Sequence, residues 1–118
     1  MFNIKNYPML YTVRARIEIG KLAGHSMQEF FDELSKGNEE KSTNLMIDAV
    51  EILHNCYLRA KAVENGDVYE PVTLNRDDFL DLTIKDWGDI ETAIVEQIQK
   101  DSGIEVEAEA KKKEEKAN

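Results

Sequence analysis

The chain has 118 residues, 42% of them hydrophobic and 33% charged, with 24 acids against 15 bases and a formal charge of -9. That length supports one domain with a modest core, and the charge disfavours nucleic-acid backbones and anionic membranes, which recruit Lys and Arg. A single cysteine cannot form an internal disulfide, no apolar run approaches the roughly 20 residues of a membrane span, and MFNIKNYPML lacks the pattern of a signal peptide, so a reducing cytoplasm is the expected compartment.

In chain order, Phe2, Ile4, Met9 and Tyr11 alternate weakly around Asn6 and Pro8, which predicts an extended arm or small β-hairpin. A first helix follows Thr12, with Val13, Ile17 and Leu22 at helical spacing and Gly24 as its stop. Ser26 and Glu29 form a capping box for a second helix, whose face is Met27, Phe30, Phe31 and Leu34 and which ends at Gly37. The third and longest helix is predicted from about Asn44 to Glu64, capped by Ser42 or Thr43. Leu45, Met46, Ala49, Val50, Leu53, Cys56, Tyr57, Ala60 and Val63 give it the wide stripe of a central helix.

ENGD at 64–67 turns the chain, and Val68 to Val72 form an extended link. Thr73 or Asn75 caps a fourth helix carrying Phe79, Leu80 and Leu82. Ile84 and Trp87 fall in or beside a joint, and a last helix is expected from about Asp89 to Lys100 with Ile90, Ala93, Ile94, Gln97 and Ile98 inward. The expectation is a mainly α protein: a bundle of four to five helices over 1–103, with the charged residues 104–118 as a flexible tail.

EILHNC, residues 51–56, looks most like chemistry. Its Glu-x-x-His spacing is that of di-iron helices, but such sites need two of these motifs and two further glutamates. The other histidine, His25, has no glutamate three before it. Two residues apart on a helix, His54 and Cys56 point about 200° away from each other. Cys56 therefore reads as core, with Glu51 and His54 on its flanks. The acids from Asp77 to Asp101 lack the spacing of a calcium loop and read as solvated helix faces. No phosphate loop, GxSxG or HExxH is present, so neither catalytic residues nor a metal or cofactor are expected.

The aromatic residues point instead to a partner. Trp87 sits beside Gly88 between the solvated Asp86 and Asp89; as core it would plug the joint on Phe79 or Ile90, and as function it would anchor a partner. Adjacent on one helix, Phe30 and Phe31 cannot both point inward. The candidate partner surface is thus Phe31, Trp87, Asp86 and Asp89. A leftover apolar stripe on so small a bundle also leaves room for a homo-oligomer.

YTVRARIEIGKLAG, then SMQEFFDEL, then a long middle helix, then VTLNRDDFLDLTIKDWGDIETAIVEQI together resemble the tail assembly chaperones of long-tailed bacteriophages over residues 2–103. The resemblance lies in layout and helix order, and no invariant motif carries it. It implies a non-enzymatic role in the host cytoplasm: helping tail tube protein polymerise around the tape measure protein, then leaving before the virion matures. Many members of that family are made in two forms by ribosomal frameshifting. The run Lys111 to Lys113 is similar to products of A-rich slippery codons, which would make this chain the short form. The family carries no catalytic residues to transfer. Two other classes remain: an acidic adaptor or inhibitor of a basic host or phage protein, and an enzyme centred on His25, His54 and Cys56.

Overall fold

A computed structural model describes residues 3–103. A 3-10 turn, Ile4–Asn6, precedes five helices: α1 (Val13–Leu22), α2 (Met27–Lys36), α3 (Glu39–Asn65), α4 (Arg76–Leu80) and α5 (Ile84–Ser102). The architecture is the mainly α bundle that the apolar periodicity predicts, and α3 is its spine. Leu45, Met46, Ile47, Ala49, Val50, Leu53 and Cys56 of α3 are buried. Ala15 and Ile19 of α1, Phe30 of α2, Leu74, Phe79 of α4, and Ile90, Ile94 and Ile98 of α5 complete one core. The three isoleucines recur every fourth residue, so one face of α5 is held by about 2 kcal/mol of burial per side chain.

Each helix begins where a side chain can accept from its free N–H groups. Thr12 Oγ1 accepts from Ala15 N–H at 3.2 Å. Ser26 Oγ accepts from Glu29 N–H at 3.2 Å, so Ser26 caps α2 as expected, while the Glu29 carboxylate reaches back past the cap residue's N–H and accepts from His25 N–H at 3.3 Å. Gly66, with φ 70°, ends α3 in the left-handed region; its N–H and that of Asp67, which donates to Ala62 O at 2.8 Å, close a Schellman motif. Gly20 serves a different need. A Cβ there would lie 3.0 Å from the Ser26 backbone, so its absence lets the start of α2 fold tightly back on α1.

Four expectations are corrected. No hairpin forms among the described residues: after the 3-10 turn, residues 7–12 run without regular structure along α3 and α5. Their main chain bonds to those helices and not to a second strand, for Leu10 N–H donates to Leu53 O at 3.1 Å and Tyr11 N–H to Asp101 Oδ2 at 2.8 Å. The long helix starts at Glu39 instead of Asn44, because Asn38 Oδ1 accepts from Lys41 N–H at 2.8 Å and two glutamates favour the first turn. Ser42, expected as its cap, instead donates to Leu34 O at 3.2 Å and so satisfies the end of α2.

The last helix likewise starts earlier, at Ile84, where Thr83 Oγ1 accepts from Asp86 N–H at 3.2 Å. Trp87 and Gly88 are therefore helical and no joint exists there. The fourth correction concerns which face of α1 is inside. Ala15, Ile19 and Gly20 are buried, while Val13 is 69% and Ile17 50% exposed. The row of Ala15 and Ile19 wins because α1 packs on both α2 and α3, with Gly20 allowing the close approach of α2, and Val13 and Ile17 are left on the outer side.

Candidate partner-binding surface

The polar residues of EILHNC face outward from the core stripe of α3, where they hold the extended segments on either side. Asn55 does so twice: its Nδ2 donates to Val72 O at 2.8 Å and its Oδ1 accepts from Val72 N–H at 2.7 Å. The amide thus imitates a neighbouring strand for the one residue it reads. One turn earlier, Glu51 Oε2 accepts from Leu74 N–H at 3.0 Å. On the arm side, His54, 6% exposed, donates through Nδ1 to Pro8 O at 2.8 Å, and its ring meets Tyr7 edge-on at 5.2 Å. These bonds satisfy main-chain groups that no sheet or helix ladder serves. Arg76, at the head of α4, ties that short helix to α3 by pairing with Asp48 and donating to Asn44 Oδ1 at 3.0 Å.

Each candidate for chemistry in EILHNC is therefore occupied structurally. Cys56 is buried in the stripe, as its position predicts. Among the described residues no three His, Cys, Asp or Glu side chains gather where a metal ion could be held.

The four expected surface residues lie on two helices, Phe31 on α2 and Asp86, Trp87 and Asp89 at the start of α5. Phe31 is 36% exposed and lies on α2, its ring edge-on to the fully buried Phe30 at 5.6 Å. Of that adjacent pair, then, one is core and the other stands at its edge. Trp87 is half-buried in the first turn of α5 and meets Phe79 edge-on at 6.3 Å, the packing its core reading foresees. Asp86 and Asp89 beside it are exposed. Around the α4–α5 corner, Leu80 and Ile84 are also open, at 56% and 87%.

One open apolar surface is not advertised by the sequence. Between the start of α1 and the second half of α3 runs an open groove of about 520 Å³, floored by Cys56 and Ala60 and walled by Val13 and Val63. Val63 is 80% exposed although it ends the apolar stripe of α3. Arg14 and Arg59 stand on the rim, and no acid lines the groove. The Arg59 guanidinium lies over the Tyr69 ring at 4.3 Å, a cation–π contact that orients the group through its face and leaves its in-plane N–H edge for a carboxylate. Val13 and Val63 look like core residues in the sequence; the one contrary signal is the competing Ala15–Ile19 row beside Gly20, whose small residues suit a closer helix contact.

Neither a family model, nor a curated protein, nor a solved structure matches this chain. None of the described helices is long and apolar enough to cross a membrane.

Proposed function

We propose that the protein is a non-enzymatic tail assembly chaperone of a long-tailed bacteriophage, acting in the host cytoplasm on tail tube protein, tape measure protein or both, and absent from the mature virion. The observation that carries this reading is the α1–α3 groove. An apolar surface that the fold leaves open, on a chain whose net charge of -9 keeps it soluble, suits a protein that covers sticky surface on unassembled subunits. The mainly helical build and the helix order agree with the resemblance of YTVRARIEIGKLAG and VTLNRDDFLDLTIKDWGDIETAIVEQI to that family. Phe31 and the Trp87 corner with Asp86 and Asp89 provide secondary contacts.

The test is to tag the protein in cells making its neighbouring gene products and identify what co-purifies at physiological salt. Recovery of a tube or tape measure protein in defined stoichiometry is the expected result; a clean preparation with neither refutes the reading. A second reading, an acidic adaptor or inhibitor of a basic protein, is favoured by the exposed Asp77, Asp78, Asp81, Asp86 and Asp89 around the α4–α5 corner. Recovery of a basic host protein released by salt would select it.

A further inference from the structure

The whole protein is acidic, yet the apolar α1–α3 groove has a basic rim. Twenty-four of 118 residues are Asp or Glu, but the groove has two arginines on its rim and no carboxylate. Neither Arg14 nor Arg59 forms an ion pair with a carboxylate among the described residues; the three pairs found there use Lys41, Lys61 and Arg76. The nearest acid in sequence, Glu64, does not line the groove and is paired with Lys61 at 3.2 Å.

We propose that the groove takes a short acidic-apolar peptide segment of a partner protein, with aliphatic side chains on Cys56 and Ala60 between Val13 and Val63, and with carboxylates paired to Arg14 and Arg59. The guanidinium fork suits a carboxylate because two parallel N–H groups meet its two oxygens. The apolar floor removes aliphatic surface from water, while the rim charges set orientation and choose among partners. This deepens the proposed function, resting on the groove as the face that meets the client, and it specifies which kind of client segment is held. It also runs against the global field: by net charge alone this protein attracts basic peptides.

The experiment uses the full chain and two synthetic fluorescent peptides with the same Leu-Ala-Ala-Leu centre, one flanked by glutamates and the other by lysines. Fluorescence anisotropy at low salt is expected to show the glutamate peptide binding about tenfold more tightly than its lysine twin. The glutamate peptide is also expected to shift the methyl resonances of Val13 and Val63. Arg14→Glu with Arg59→Glu inverts the preference if the rim reads charge; circular dichroism checks that the variant remains helical. Should that variant unfold, the peptide comparison and methyl shifts on the parent chain still decide. Tighter binding of the lysine peptide, no binding of either, or an uninverted preference in the folded variant overturns the proposal. Dimerisation abolished by Val63→Glu, with neither peptide bound, assigns the groove to a second copy and overturns it as well. Because the peptides are synthetic, their failure leaves the co-purification test of the tail-assembly reading standing.

Discussion

Replacing Asn55 by alanine removes the two bonds that fasten Val72 to α3, at 2.7 and 2.8 Å. Each is worth about 1 kcal/mol net. The site is part-buried, so water recovers some but not all of what Val72 loses. The expected loss is about 2 kcal/mol, which for a domain of about 100 residues lowers the melting temperature by about 10 °C. Asn55→Asp separates hydrogen bonding from space-filling. It is nearly isosteric and keeps the acceptor for Val72 N–H, but it turns the donor into a carboxylate oxygen facing the Val72 carbonyl. Its cost should equal or exceed that of alanine. Thermal and urea melts followed by far-ultraviolet circular dichroism measure both, with Asn65→Ala, exposed at the end of α3, as a control expected within about 0.5 kcal/mol of the parent. If Asn55→Ala melts within 2 °C of the parent, or Asn55→Asp is neutral, the clasp does not hold the link and the account of EILHNC given above fails.

Gly88→Ala should stabilise the protein by about 0.5–1 kcal/mol, since Gly88 is helical and nothing lies within 4 Å of an added Cβ. Gly20→Ala should destabilise by about 1–3 kcal/mol through its clash with the Ser26 backbone; urea midpoints of the two variants moving in the same direction would refute this. Phe30→Ala should cost about 3–5 kcal/mol because the ring is fully buried. Phe31→Ala, at the core's edge, should cost under about 1.5 kcal/mol, and a melt ordering them the other way would reverse their assigned roles. Under the proposed function, Val13→Glu with Val63→Glu should leave the melting curve within about 0.5 kcal/mol of the parent and abolish recovery of the tail protein in the co-purification assay.

Where a signal is local, the chain shows it plainly. Ser26 and Glu29 announce α2 because a helix cap needs only residues within one turn. The inward face of α5 is equally legible, since Ile90, Ile94 and Ile98 form an unbroken row four residues apart, while Ile84 and Val95 stand outside it and are exposed. Where two local signals compete, a distant contact decides. Ser42 and Thr43 resemble caps as well as Asn38 does, and the choice falls to Asn38 because Ser42 is drawn to the Leu34 carbonyl at the end of α2. On α1, Val13–Ile17 and Ala15–Ile19 have the same period, and the second row wins only through the close approach of α2 at Gly20. The groove is the remainder of that choice. Its walls are residues that periodicity assigns to the core, and no pattern within one helix reveals that its neighbour leaves them open.

The arm between α3 and α5 has a mechanical consequence. Tyr11 N–H holds the Asp101 carboxylate at 2.8 Å, so two points 90 residues apart in sequence are fastened side by side. Tension applied across residues 3 and 103 therefore meets this fastening and the arm's bonds to Leu53 and His54 before it reaches α1, α2 or most of α3. The fastening of the arm to α5 bridges the two ends in parallel with the α1–α2–α3 unit, which is shielded while the fastening holds. A pull at the ends yields by peeling the arm and α5 first, at low force, while the groove between α1 and α3 is still intact.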